Sequence, residues 1–282
     1  MKKKRDYSTI LLVFILFAGL SLLLYPSFSD WWNSFHSSQA ITNYTKQVRD
    51  MSDEDYTHIW DAAREYNHSL TLRRNDYILN EKQKKQYEEL LNISGYGIMG
   101  YINIPSIKVS LPVYHGTTES VLQVAVGHLE WSSLPVGGEG SHCVLSGHRG
   151  LPSAKLFSDL DKLVVGDIFT LQVLDEILTY EVDQILIVEP DETKALHIEQ
   201  GKDLCTLVTC TPYGINSHRL LVRGHRIETV EETIIRVSAE AVQIDPMLVA
   251  PAVAVPFLVL MLLYAIIPRK SKKQGGEYYE DD

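Results

Sequence analysis

The sequence predicts a mainly β protein, either a barrel or a sandwich, that follows a helical segment and has a membrane segment on each side. From Gly100 onward, short runs of β-forming residues alternate with Gly and Pro, a pattern typical of all-β barrels and sandwiches. Before Gly100, apolar residues recur at helical spacing. Two long apolar runs stand beside clusters of Lys and Arg, one near each end of the sequence.

Length and charge narrow the range of functions. The 282 residues are enough for one sizeable domain with appendages. The formal net charge is −10, and the clusters of Lys and Arg lie near the two ends. Nucleic-acid binding needs clustered basic side chains against the phosphate backbone. We therefore expect no nucleic-acid partner, and the basic clusters point to a membrane instead.

The first apolar run predicts a membrane anchor. Residues 2–5 are Lys or Arg, residues 8–25 carry no charge, and Trp31 and Trp32 follow where an interfacial aromatic belt would lie. The run is near the roughly 20 residues that span a bilayer, and it is longer than the apolar core of a cleaved signal peptide. We therefore expect an uncleaved anchor rather than a cleaved signal.

The second apolar run, residues 247–268, predicts another membrane segment, since residues 269–273 behind it are mostly basic. By the positive-inside rule, both basic flanks are cytoplasmic, so the residues from about 30 to 245 are expected outside the cell. The alternative is a cell-wall sorting signal. That signal needs an LPxTG-like pentapeptide just upstream, and residues 237–245 contain none.

Two apolar stripes before the β-rich region predict helices. One stripe runs through Tyr44 and Val48, and the other follows a capping-box-like start at Ser52. Asn80 is placed to cap a further helix that reaches Leu91. We interpret these stripes as packing faces rather than binding sites. The second stripe consists of Tyr56, Ile59, Trp60, Ala63 and Tyr66.

Seven β-like runs predict the strands of the barrel or sandwich, and Asp175 and Glu176 between two of them predict a hairpin turn. Residues 119–128, between the second and third runs, are expected to form a helix. The seven runs are residues 101–104, 109–113, 142–146, 168–173, 177–188, 204–210 and 220–227.

Three cysteines, Cys143, Cys205 and Cys210, cannot all pair with one another, so at least one thiol is free. Their spacing is not that of a zinc site, and we expect no metal. Because side chains alternate along a strand, Cys205 and Cys210 are expected to point to opposite faces. We interpret Cys143 and Cys205 as core residues, with a disulfide between them as the alternative.

Cys210 has the surroundings expected of a nucleophile. It ends a β-like run, residues 211–214 form a turn, and Arg219 opens the returning strand. Arg219 is therefore predicted to face Cys210 across a hairpin. A reactive thiol needs a base or a positive field nearby, and acyl transfer needs a donor for the oxyanion.

His148 is the candidate base. It follows the run at residues 142–146, and glycines near it on both sides permit close approach of the backbone. Histidine suits proton transfer near neutral pH. The chain has ten histidines, so position alone leaves the choice of base open. We expect Arg149, Arg223 and Arg226 to make surface or loop contacts rather than to act in catalysis.

Together these residues resemble the sortase family. Residues 206–210 read Thr-Leu-Val-Thr-Cys and match the TLxTC signature of sortases, Arg219 matches their essential arginine, and His148 matches their catalytic histidine. The order of the three motifs is also that of sortases. The resemblance covers roughly residues 97–228. The helical extension, the second apolar run and residues 211–224 resemble class C, the pilin-polymerising sortases of Gram-positive bacteria.

The resemblance implies a closed eight-stranded β-barrel with short helices and a groove that holds the three residues. It implies a cysteine transpeptidase that cuts an LPxTG-like motif between Thr and Gly. Cys210 would form a thioester, His148 would transfer protons, and Arg219 would hold the substrate and the oxyanion. In class C the acceptor is a lysine amine of another pilin. The chemistry implies no metal or organic cofactor, and Thr209 is expected to contact the substrate.

One departure concerns the lid of many class C sortases, which covers the cysteine with an Asp-Pro-aromatic motif. Here Asp76 and Tyr77 form an Asp-aromatic pair without the proline. A lid through these two residues is one interpretation, and a loop or strand-like linker between helices is the other. If the lid is absent, the self-inhibition that it provides is in doubt as well.

The sequence thus predicts six segments and leaves other functions open. The alternatives are a sortase that attaches surface proteins to peptidoglycan, a hydrolytic cysteine protease, and a non-catalytic pilus assembly factor. The intact trio of Cys, His and Arg argues against the last. The segments are residues 1–29 (cytoplasmic start and membrane anchor), 30–96 (helical extension with the possible lid), 97–230 (catalytic barrel), 231–246 (linker), 247–268 (second membrane segment) and 269–282 (cytoplasmic tail).

Overall fold

Eight β-strands close into a barrel in a computed structural model, which describes residues 7–71 and 78–229. Around the barrel the strands follow the order β1-β2-β3-β4-β7-β8-β6-β5, and β5 pairs with β1 to close it. Most neighbours are antiparallel, but β2 with β3 and β4 with β7 are parallel. The strands are β1 (Ile98–Ile104), β2 (Val109–His115), β3 (Val126–His128), β4 (Ser141–Ser146), β5 (Ile168–Val173), β6 (Glu176–Val188), β7 (Asp203–Thr211) and β8 (His218–Ile227).

The closed eight-stranded barrel confirms the predicted fold class, and each of the seven β-like runs lies within a strand. The eighth strand, β3, was missed because it lies inside the helix predicted at residues 119–128. That helix is wrong beyond its first turn: α4 covers only Glu119–Leu122. Val126 pairs with Val113 on β2, and Gly127 pairs with Ser146 on β4. Barrel closure thus overrides the local helical pattern.

Three helices precede the barrel: α1 (Tyr7–Arg49), α2 (Asp53–Thr71) and α3 (Glu81–Glu89). Helix α1 joins the predicted anchor and the stripe through Tyr44 into one helix, and it is long and apolar enough to cross a membrane. The predicted caps are confirmed. Ser52 and Asp55 exchange hydrogen bonds at the start of α2, and Asn80 forms a reciprocal capping box with Gln83 at the start of α3.

Buried polar contacts attach this helical layer to the barrel. The hydroxyl of Tyr44 donates to the carbonyl of Met99 at 3.0 Å and accepts from the amide of Leu174 at 2.8 Å. Leu174 has a φ of 49° and forms the tight turn between β5 and β6 together with Asp175, where the hairpin was predicted. The indole of Trp60 on α2 donates to Asp175 at 3.0 Å. The stripes are therefore packing faces, as predicted.

Four predicted features lie outside the described residues and stay predictions. They are the possible lid at Asp76 and Tyr77, the linker at residues 231–246, the second membrane segment at residues 247–268 and the tail at residues 269–282.

Side chains alternate along β7 between the inside and the outside of the barrel. Cys205 and Leu207 belong to the main core, whereas Val208 belongs to a separate cluster on the outer face. Cys210 has the same parity as Val208, so it lies on the outer face. We call this cluster the outer cluster; its members are Val144, Val188, Leu196, Val208 and Leu221.

We expect Gly147→Ala to lower the free energy of unfolding by about 1–3 kcal/mol, the usual cost of overpacking a filled core. A Cβ atom at Gly147 would lie 2.7 Å from Cδ2 of the buried Phe157 ring. Denaturant unfolding of the full chain in detergent measures the loss. Phe157→Leu removes the clash, so the double variant should lose less than the sum of the two single variants. A Gly147→Ala protein as stable as wild type would contradict the close packing.

Candidate active site

Cys210 and Arg219 are direct partners across the β7–β8 hairpin. The antiparallel register pairs Cys210 with Arg219, and on its other side Arg219 pairs with Val188 of β6. Both side chains are partly exposed. The Nη1 atom of Arg219 donates to the carbonyls of Asn216 at 3.2 Å and His218 at 3.1 Å. These two bonds tie the guanidinium to the β7–β8 turn, and the pairing of Arg219 with Cys210 across the hairpin is the one that the sequence predicts.

The segment that carries His148 continues from β4 along β7 towards Cys210. The amide of Gly147 donates to the carbonyl of Val208 at 3.1 Å, and the hydroxyl of Thr209 donates to the carbonyl of Gly147 at 2.8 Å. The amide of Phe157 donates to the carbonyl of His148 at 3.1 Å. The backbone of Gly147 and the carbonyl of His148 are therefore fixed, and because β4 and β7 are parallel, His148 lies at the same end of the barrel as Cys210.

Thr209 is buried, with 2% of its surface exposed, and its hydroxyl is already bonded to the carbonyl of Gly147. In this position Thr209 supports the histidine segment. The predicted contact between Thr209 and a substrate stays a prediction.

A carboxylate from α4 faces the imidazole. The Nε2 atom of His148 lies 3.7 Å from Oε2 of Glu119, and 28% of the histidine side chain is exposed. Within residues 7–71 and 78–229, no hydrogen bond joins Cys210, His148 and Arg219 to one another. Catalytic hydrogen bonds often form only once substrate is bound, so a shared catalytic role of the three residues does not require these bonds here.

Arg149 ties together the loops that flank the trio. Its guanidinium donates to Asp161 at 2.5 Å and to the hydroxyl of Thr211 at 3.4 Å, and it lies 5.8 Å from the ring centre of Tyr213. Only 9% of its side chain is exposed. The sequence predicted loop contacts for Arg149, which is confirmed, but it gave no sign that these contacts join the residue after His148 to the residue after Cys210.

The other two thiols differ sharply from Cys210. Cys143 and Cys205 are directly opposite on the parallel strands β4 and β7, both are buried in the main core, and both are free. The prediction that they are core residues is confirmed, and the alternative disulfide is not formed. Burial raises the pKa of the Cys205 thiol well above its ordinary value. Within the described ranges, no group of three or more His, Cys, Asp or Glu side chains is placed to hold a metal ion.

Comparisons with known proteins agree with this geometry. A family model described as "Sortase domain" matches residues 102–227. The crystal structure of sortase C1 from Streptococcus agalactiae is 52% identical in sequence, with a TM-score of 0.67, and the match covers 68% of this chain and 100% of that one. Sortase C from Clostridium perfringens, solved with the C-terminal cell wall sorting motif, is 42% identical, with a TM-score of 0.60 and coverage of 68% and 100%. Sortase A of Bacillus anthracis is 28% identical over 233 residues, which are 81% of this chain and 98% of that protein.

The three thiols should react at very different rates with iodoacetamide in the folded protein. Cys210 is partly exposed, so we expect one adduct at Cys210 within minutes. Cys143 and Cys205 should react only as fast as the barrel opens. Peptide mapping by mass spectrometry identifies the sites, and Cys210→Ser should remove the fast adduct. A fast adduct at either core cysteine would contradict the burial of that thiol.

Proposed function

The chain belongs to the sortase family of cysteine transpeptidases, and from that membership we propose that it polymerises pilins. It would cleave an LPxTG-like sorting motif through a thioester on Cys210 and transfer the acyl group to a lysine amine of another pilin subunit. The observation that carries this proposal is the pairing of Cys210 with Arg219 at the barrel end that also holds His148. Two of the similar solved structures are a sortase C1 and a sortase C, and the second of them was solved with a sorting motif.

The first half of the reaction forms the acyl-enzyme. The Cys210 thiolate attacks the threonine carbonyl of the sorting motif, and a C–S bond forms as the C–N bond to glycine breaks. His148 gives a proton to the leaving amine. Among the described contacts of Arg219, only Nη1 is engaged, so its remaining N–H groups support the oxyanion while charge develops on the carbonyl oxygen.

The second half transfers the acyl group. A neutral lysine amine attacks the thioester carbonyl, a C–N bond forms and the C–S bond breaks. His148 takes the proton that the amine loses, and Cys210 returns to the thiolate. Each cycle thus restores the enzyme and exchanges one amide bond for another, without a redox step.

The membrane arrangement belongs to the same proposal. Helix α1 would anchor the protein, since its first half exposes large apolar side chains such as Leu12, Phe14 and Leu22. The second segment, residues 247–268, would cross back, which places the barrel outside the cell and both termini in the cytoplasm. In this arrangement the active site meets exported proteins. The six segment boundaries predicted from the sequence are retained in this proposal.

A second candidate acceptor is an amine of peptidoglycan, so that the enzyme would anchor surface proteins to the cell wall. The match to a sortase A along most of the chain favours it. The donor half of the reaction is the same, and the two candidates differ only in the amine that attacks the thioester.

Incubation of the full chain with a pilin that carries an LPxTG-type motif should produce high-mass ladders. Mass spectrometry should find a Thr–Lys isopeptide at each junction, and Cys210→Ala should abolish both the ladders and the acyl-enzyme. Ladders from Cys210→Ala would disprove the assignment of the nucleophile. If the wild-type enzyme joined the motif only to peptidoglycan fragments, pilin polymerisation would be excluded and anchoring retained.

Arg219→Lys should lower kcat by about 100-fold, the usual loss when one oxyanion donor is removed. The lysine keeps the charge but lacks the planar set of N–H donors. Arg223→Lys is the matched control on the same strand, because Arg223 is paired with Asp183 and Glu199 instead. Cleavage of a fluorogenic LPxTG peptide measures both variants. Equal rates for Arg219→Lys and Arg223→Lys would contradict the oxyanion role.

A further inference from the structure

A cavity of about 360 Å³ lies beside the active site, between α3, the loop from β2 to α4 and the loop after β3. Its wall includes Thr117 and Thr118, which directly precede the Glu119 that faces His148 at 3.7 Å. The opposite wall includes Trp131, which also packs against the outer cluster on the same face as Cys210. The cavity therefore lies along the surface that leads to the reacting atoms.

The charged groups of this cavity favour a cation. Glu88 and Glu130 contribute two carboxylates to its lining, and Lys84 contributes one ammonium. Glu119 adds a third carboxylate on the path from the cavity to His148. A surplus of negative charge in a concave site raises the local concentration of positively charged ligands and speeds their arrival.

The histidine in the wall is held in place by the backbone, and its burial opposes a charge on the ring. Burial lowers the pKa of His115. Its ring is fixed between the carbonyls of Leu90 at 2.8 Å and Gly97 at 2.9 Å. The imidazole is therefore a fixed part of the wall.

Aromatic side chains form the apolar part of the cavity. Tyr87 is buried, with 1% of its surface exposed, and its hydroxyl accepts from the amide of Gly116 at 2.9 Å and donates to the carbonyl of His128 at 3.2 Å. Trp131 lines the same space. The methylene groups of a lysine can pack on such rings while its ammonium stays near carboxylates. The lining thus combines a fixed apolar surface with negative charge.

We propose that this cavity binds the acceptor: a segment of a second protein whose lysine amine attacks the thioester on Cys210. This inference rests on the proposed function and names where its second substrate docks. The lysine ammonium is drawn by Glu88 and Glu130 and passes Glu119 to reach His148. It releases one proton to solvent, the neutral amine forms the new C–N bond, and His148 takes the second proton as the C–S bond breaks.

The test compares three nucleophiles on the same acyl-enzyme. The full chain in detergent is charged with an LPxTG peptide, and the products with water, hydroxylamine and acetyl-Ala-Ala-Lys-Ala-Ala-amide are quantified. The double variant Glu88→Gln/Glu130→Gln should lower kcat/KM for the lysine peptide by about 10-fold. Transfer to hydroxylamine should stay within about twofold, because this small neutral nucleophile gains nothing from the carboxylates.

Two further variants complete the test. Glu89→Gln is the matched control, since Glu89 is the next residue on α3 and pairs with Lys85 on exposed surface, outside the cavity. It should leave lysine transfer unchanged. Thr117→Tyr places a ring in the cavity from an exposed position, and it should lower lysine transfer while hydroxylamine transfer persists.

The outcomes separate this inference from the proposed function. Two results would disprove acceptor binding in the cavity but would leave the proposed thioester formation intact. In the first, the cavity variants leave lysine transfer unchanged; in the second, they lower lysine and hydroxylamine transfer equally. If the wild-type enzyme made hydroxamate but no lysine product, both acceptor binding in the cavity and the use of a lysine amine as acceptor would be disproved. If it made no hydroxamate at all, the thioester mechanism itself would be contradicted.

Discussion

The register of β7 against its two neighbours is the constraint on which the active site depends. The parallel pairing with β4 sets Ser146 beside Val208, and the antiparallel pairing with β8 sets Arg219 opposite Cys210. A shift of β7 by one residue would turn Cys210 into the barrel and would turn Thr209 outwards, because side chains alternate with a period of two. The positions of Cys210, Arg219 and the segment that carries His148 therefore follow from the pairing of the sheet more than from any loop.

The same alternation separates a partly exposed thiol from buried thiols. Cys143 and Cys205 sit inside the barrel on the two strands that bring His148 and Cys210 together. Both are buried and add packed volume where the two strands meet. Cys210 lies on the other face, where it is partly exposed and is paired with Arg219 across the hairpin. One strand thus holds a core thiol and a partly exposed thiol, which differ in exposure because they differ in parity.

Sequence reasoning succeeded where the signal was local and failed where it depended on closure of the barrel. The hairpin of β7 and β8 could be predicted, since its strands and turn are adjacent in the chain and the TLxTC signature ends at Cys210. Strand β3 could not, because only its pairing with β2 and β4 makes those three residues extended. Likewise, the contact of Arg149 with Thr211 spans 62 residues, and no periodic pattern marks it.

His148 can be reached from two sides of β4, and this bears on how a transpeptidase limits hydrolysis of its acyl-enzyme. Cys210 and Arg219 lie on the β7 side of β4, whereas Glu119 and the cavity lie on the β3 side. Water is always in great excess, so a lysine amine competes only if it is held close to the thioester at a high effective concentration. In the proposed arrangement, the cavity approaches His148 from the β3 side and Cys210 lies on the β7 side. The acceptor amine could then be held in the cavity while the acyl group is still bound to Cys210. The fold can therefore favour the amine over water by position alone, without any change in the chemistry of Cys210.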